Sequence, residues 1–235
     1  MRNLSGDIVD LEQYPLSDSK FRTQCKRKLD DDGVLVLDNF LTSSAMASIK
    51  AEGIDNQHLA YFTEKKHNIY LSPSDPECSS DHPRNREVVS SKGCITTDQI
   101  PEGSALRALY DALEFREFLC AVLDIQELHE YADSLSSINL HYASQGQELG
   151  WHFDNSSFAI TLLLQAPKEG GVFQYVRDLR NSNYEDMNFN GVEAVLNNEM
   201  PVKTLNMEEG TLVLFRGLNS MHRVTPTIGN KTRIL

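Results

Sequence analysis

Residues 137–176 read SINLHYASQGQELGWHFDNSSFAITLLLQAPKEGGVFQYV. Short runs rich in β-branched, leucine and aromatic residues, at 137–142, 158–165 and 171–176, are separated by turn signals at Gln145-Gly146 and from Pro167 to Gly170. The same rhythm continues downstream at 202–205, at 210–215 and from Thr232 onward, with turns at 188–191 and 228–230. Strands that follow one another without helices between them build an antiparallel sandwich or barrel.

Upstream the pattern changes. Phe21, Cys25 and Leu29 fall on one helical face, so a short amphipathic helix is predicted over 19–29, broken by Asp30-Asp31-Asp32-Gly33. The run from Val34 to Leu37 reads as a buried strand, and Thr42 or Ser43 can cap a second helix reaching about Ala51. Residues 72–104, with SPSDPE and DHPRNR as their densest parts, read as a long loop of the kind that carries function. A third helix is predicted over 104–122, with Leu106, Leu109, Leu113 and Phe118 on its apolar side. The fold class is therefore α+β, mainly β, with helices flanking a barrel or sandwich. No internal repeat is present.

The chemistry-bearing stretch is Trp151-His152-Phe153-Asp154. In an extended chain residues i and i+2 share a face, so the His152 imidazole and the Asp154 carboxylate can converge on one ion while Trp151 packs on the other side. His222, after the 210–215 strand, can supply a third ligand from a neighbouring strand. Two imidazoles and one carboxylate on one face of an octahedral metal leave positions open, a pattern typical of non-haem Fe(II) oxygenases. A zinc hydrolase could use the same donors, and a metal-free barrel with a polar strand is the plainest alternative. Arg233 favours the first reading, because its planar fork suits a dicarboxylate that a hydrolase has no need to hold.

The stretches INLHYASQGQELGWHFD (138–154), GGVFQYV (170–176) and GTLVLFRGLNSMHRVTPTIGNKTRIL (210–235) together resemble the Fe(II)/2-oxoglutarate-dependent dioxygenase superfamily. The likeness extends from about Ser19, through GVLVLDNF (33–40), to the end of the chain. Within that superfamily the motifs WHFDNSSF, GGVFQYV and HRVTP are most similar to the free-amino-acid halogenases and hydroxylases that act on lysine and related substrates. The resemblance implies a double-stranded β-helix, a jelly-roll or cupin-like core with N-terminal flanking helices, forming a single domain over 1–235. Members of that family continue beyond this point, so with the chain stopping at Leu235, two residues after Arg233, the expectation is either an omitted C-terminal tail or an unusually short last strand.

By the same resemblance, His152, Asp154 and His222 are iron ligands and the catalytic centre. Arg233 binds the distal carboxylate of 2-oxoglutarate, and Tyr142 lies in the cosubstrate pocket. Halogenases of this group have a small residue where this chain has Asp154, so hydroxylation of an unactivated C–H bond is favoured, with Fe(II), 2-oxoglutarate and O2 as cofactor and cosubstrates. A free amino acid, lysine or a similar one, is the expected substrate; a peptide or protein, another small metabolite, and a halogenase-related activity are the alternatives. Arg84 or Arg86 in the long loop can grip a substrate carboxylate, and Asn155 follows the metal motif at a substrate-facing position. Glu148 and Glu64 are candidates for an ammonium partner, with nothing to choose between them.

Other histidines, His58, His67, His82 and His129, have no partner spacing and read as surface or loop residues; His141 reads as a hydrogen-bonding histidine of the core or pocket. Acidic side chains outnumber basic ones by 34 to 22, and the net charge of −12 repels nucleic acid and anionic membranes. The same charge is compatible with a small cationic substrate. No apolar run is long enough to span a bilayer, and the polar stretch from Arg2 to Asp10 lacks the apolar core of a secretory signal. Cys25, Cys78, Cys94 and Cys120 form no CxxC pair and read as reduced, packed thiols of a cytoplasmic protein.

Overall fold

A computed structural model describes residues 6–184 and 186–235; the Arg2 to Ser5 part of the polar N-terminal stretch lies outside them. The elements run in the order α1 (Ser19–Asp32), β1 (Val34–Leu37), α2 (Ser43–Asp55), β2 (Tyr61–Asn68), β3 (Glu87–Ile95), α3 (Ala105–Asp111) and α4 (Leu113–Leu123). They continue as β4 (Leu140–Ala143), β5 (Leu149–His152), β6 (Ala159–Leu162), β7 (Glu169–Gly170), β8 (Phe173–Val176) and α5 (Phe189–Leu196). The chain closes with β9 (Lys203–Leu205), β10 (Leu212–Phe215), β11 (Met221–Val224), β12 (Thr227–Ile228) and β13 (Arg233–Ile234).

The strands form a large antiparallel sheet in the order β13-β4-β3-β5-β11-β8-β9, with β2 paired to β3, facing a smaller sheet β1-β10-β6. This is the curled β architecture expected of a double-stranded β-helix. The apolar run at 212–215 has a physical reason: β10 is buried on both faces. Val213 and Phe215 pack with Val34 and Tyr175 between the two sheets. Leu212 and Leu214 join the larger core, where Leu29 of α1, Ile49 of α2 and Phe118 of α4 also sit.

Local chemistry sets the boundaries. The side chain of Asp18 accepts from the Phe21 amide and starts α1, which runs through the three aspartates to end at Gly33 with φ +73°, a left-handed cap that glycine adopts without strain. Thr42 caps α2, as read from the sequence. Three expectations are corrected. The 72–104 loop ends earlier, because β3 occupies 87–95 and pairs with β2 from Glu87 to Cys94. The helix predicted over 104–122 is two helices, since Ala112 is extended (ψ 126°) and buried, which lets Leu109 on one side and Phe115 and Phe118 on the other reach the same core. The turn predicted at 188–191 opens α5, with the Asn188 side chain accepting from the Gly191 amide.

Among the described residues no helix is long and apolar enough to cross a membrane. All four cysteines are free thiols.

Candidate active site

β5 and β11 are antiparallel neighbours, and their register sets His152 directly opposite His222. Opposed residues share a face, so the two rings meet with centroids 4.1 Å apart. Both rings are oriented by backbone carbonyls two residues upstream: His152 Nδ1 donates to Gly150 O (2.8 Å) and His222 Nδ1 donates to Ser220 O (2.9 Å). A carbonyl only accepts, so the proton sits on Nδ1 and each Nε2 lone pair is left free. Both Nε2 atoms face Asp154 Oδ1, at 3.6 and 3.5 Å. The ligand atoms of the three residues all lie within 4.8 Å of one another.

Asp154 falls beyond the end of β5 rather than on it, held by its amide donating to Gly217 O (3.1 Å). Its second oxygen, Oδ2, is buried and has no hydrogen-bond partner among the described residues. Residue 217 has to be glycine, because a Cβ there would collide with that oxygen. Burial, reinforced by the neighbouring His222, pushes His152 toward the neutral form. For Asp154 burial works against ionisation, but the close approach of His222 and His152 holds the carboxyl below its ordinary range. Neutral imidazoles and an ionised carboxylate are the states a divalent metal requires. Two unshared Nε2 lone pairs facing Oδ1 of a carboxylate whose other oxygen is buried without a partner among the described residues therefore fit an iron ion of the two-histidine, one-carboxylate type.

Around this cluster the barrel wall is aromatic. Phe215 and Phe173 contact the His222 ring at 4.8 and 5.6 Å between centroids. Trp151 packs on the opposite side of the strand, with the Arg223 guanidinium 4.8 Å from its ring centre. His67, read from the sequence as a surface or loop residue, is instead a half-buried residue of β2 edge-on to His152, with centroids 6.3 Å apart. Its Nδ1 donates to Asn68 O, so its Nε2 accepts from the Ser90 hydroxyl at 2.6 Å.

Arg233 lies on β13, 5 % exposed, and no hydrogen bond or ion pair joins its guanidinium to a described residue. Burial alone lowers its pKa to about 10. A cation this deeply buried without a counter-charge calls for an anionic ligand. Tyr142 does not share its face. It is fully buried in the helix-packed core and its hydroxyl donates to Gly53 O of α2 (2.8 Å), so the cosubstrate-pocket position expected for it is corrected. Its neighbour His141 is the residue on the Arg233 side.

Arg86 is tied to the end of α5, with Nη1 donating to Asn197 Oδ1 (2.6 Å) and Nη2 to Leu196 O, so its guanidinium is not free to clamp a substrate. Arg84 is held only in part: its Nη2 donates to Pro73 O (3.1 Å), its Nη1 is buried without a partner among the described residues, and its guanidinium lies 5.4 Å from the Tyr70 ring centre. Arg180, which sequence reasoning missed, lies 5.7 Å from the same ring and 4.2 Å from that of Phe153, the residue between two of the clustered side chains. Asn155 is exposed. A largely apolar cavity of about 500 Å³ is lined by His141, Leu235, Phe158 and Thr161 but by none of the three clustered residues.

Fold and donor set together define a class: the Fe(II)- and 2-oxoglutarate-dependent oxygenases, enzymes that use both with O2. The chain belongs to the Halogenase D family, whose model matches residues 17–235. It is similar in structure to an oxidoreductase of the 2OG-Fe(II) oxygenase family from Burkholderia pseudomallei, at TM-score 0.54 and 13% identity over 91% of this chain and 88% of that one. A Pseudomonas putida prolyl-4-hydroxylase gives 0.54 and 12% over 91% and 95%. SnoN, a non-haem α-ketoglutarate-dependent epimerase from nogalamycin biosynthesis, gives 0.59 and 11% over 92% and 79%. At these identities the likeness is one of fold. No curated protein matches the chain in sequence.

Proposed function

We propose that this protein hydroxylates an unactivated C–H bond of a free amino acid, lysine or a similar cationic one. The observation that carries the choice of hydroxylation over halogenation is Asp154: its carboxylate stands 3.5 and 3.6 Å from the two imidazoles, where the halogenases that the sequence resembles have a small residue and room for chloride. His152, Asp154 and His222 would hold the iron, and Arg233 would bind the distal carboxylate of 2-oxoglutarate. Bound iron would supply the oxidation, with O2 as the oxidant and 2-oxoglutarate giving up two electrons as it becomes succinate and CO2, chemistry that the protein itself has no group to perform.

The chain's own residues orient and protect. Gly150 O and Ser220 O fix the tautomers of His152 and His222, so each Nε2 is presented without a proton to displace. Phe173 and Phe215, against the His222 ring, keep water from the barrel side of the site. Arg84, with Arg180 on the other contact to Tyr70, is the substrate-carboxylate grip, supported by the unpartnered buried Nη1. The net charge of −12 favours a cationic substrate over an acidic one.

The test is a panel of free amino acids incubated with Fe(II), 2-oxoglutarate and O2 and read by mass. A gain of one oxygen, matched by succinate release, is expected for a basic amino acid, and Asp154→Ala should lose at least about a hundredfold in turnover. Chlorinated product from the wild type would overturn hydroxylation. Succinate release coupled only to a peptide would overturn the free-amino-acid assignment.

A further inference from the structure

Arg233 is not the only cation on its face of the sheet. β13 pairs with β4 so that Arg233 stands opposite Ala143, and β4 pairs with β3 so that Tyr142 stands opposite Gly93. Continued one residue, that register sets Lys92 opposite Ala143 from the other side. Opposed residues of an antiparallel sheet point to the same face. Lys92, Ala143 and Arg233 thus form one row across three strands, two long cationic side chains flanking a methyl group. The next row contains His141, opposite Cys94, which again faces the same way.

Lys92 is half-buried, and no carboxylate partners it among the described residues. Its Nζ lies 3.3 Å from both ring nitrogens of His141. That imidazole is kept neutral, its pKa pushed down to about 3 by burial and by the charges of Lys92 and Arg233, so both cations act on the same small volume. Lys92 itself is pushed down by desolvation. Two cations and a neutral imidazole with no anion between them are costly unless a ligand supplies the charge.

We propose that Lys92 is a second anchor for the distal carboxylate of 2-oxoglutarate, seated with Arg233 over Ala143 and steadied by His141. Arg233 offers a planar fork and Lys92 a point charge, so the carboxylate is gripped from two strands. Between them in the row, Ala143 contributes only a methyl group. This inference rests on the cosubstrate reading above and extends it to a residue on a different strand.

Calorimetric titration of the Mn(II)-loaded protein, in which no turnover is needed, tests it. The ligands are 2-oxoglutarate and 2-oxopentanoate, which shares the 2-oxo acid head but lacks the distal carboxylate. Lys92→Met should weaken 2-oxoglutarate by about 10- to 100-fold and leave 2-oxopentanoate unchanged, with Lys92→Arg recovering most of the loss. Lys92→Gln, which keeps a hydrogen-bonding side chain in the barrel, reads the same difference should the methionine variant fail to fold. Unchanged 2-oxoglutarate affinity, or equal weakening of both acids, overturns the role of Lys92 while leaving the cosubstrate reading intact. Wild-type protein that binds neither acid overturns both.

Discussion

Asp154 is placed by a residue that has no side chain. The Asp154 amide is held by Gly217 O, and any Cβ at 217 would meet Asp154 Oδ2. Gly217→Ala should therefore push the carboxylate off the two imidazoles and weaken Fe(II) or Mn(II) binding by about 10- to 100-fold, as measured by calorimetry; metal affinity equal to wild type would show that Asp154 is not a ligand. The clustered triad was legible in the sequence because metal chemistry restricts it to a few residue types, and His152, Asp154 and His222 satisfy them at a strand-like spacing. Tyr142 was misread for the opposite reason. Sequence spacing placed it near the site, but a strand alternates faces, and a one-residue difference in parity turns its hydroxyl into the α2 core and His141 toward Arg233. His67, Lys92 and Arg180 carry no spacing signal, since only the pairing of β2 with β3 and the course of the chain around Phe153 bring them in.

At the level of elements, helices with side-chain caps and strands with continuous apolar runs were readable: α1, α2, β1 and β10 lie where periodicity and capping put them, except that α1 continues through Asp30, Asp31 and Asp32, read as its break, and ends only at Gly33. β2 and β3 were not. YFTEKKHN is mostly exposed on both sides, and EVVSSKGCI is polar where it faces the barrel interior, so neither gives the apolar alternation that marks a strand. The N-terminal helix packs Cys25 and Leu29 into the helix-covered core, away from His152, Asp154 and His222, so its capping is a matter of stability alone. Asp18→Ala removes the acceptor for the Phe21 amide (2.7 Å) and should cost about 1 kcal/mol. For a chain of this size that lowers Tm by roughly 2–4 °C. Differential scanning calorimetry checks the shift, and Mn(II) affinity measured on the same variant should equal that of the wild type.

On the scale of the whole molecule, the barrel's closing turn is tied to the flanking helices by one acidic residue. Glu209 accepts from Lys50 Nζ of α2 (2.5 Å), from Lys231 Nζ before β13 (2.8 Å) and from the Ala166 amide after β6 (3.1 Å). Burial alone would raise its pKa, but the Lys231 and Lys50 hydrogen bonds and that amide lower it to about 2, from an ordinary value near 4.5. A carboxyl whose pKa is lower in the folded state stabilises the fold above the unfolded value, and that contribution fades as pH falls from 4.5 toward 2. The side chain is 29% exposed, so solvent screening trims the effect to about 1–2 kcal/mol at neutral pH. Glu209→Gln should lose that amount in urea unfolding at pH 7, and the gap from wild type should narrow at pH 3.5, where the native carboxylate is still ionised but the carboxyl of the unfolded chain is mostly protonated. Because the three partners come from α2, the end of β6 and the turn that delivers Arg233, the same substitution should also loosen the position of Arg233. A gap of equal size at both pH values would place the stabilising role in packing rather than in the charge of Glu209.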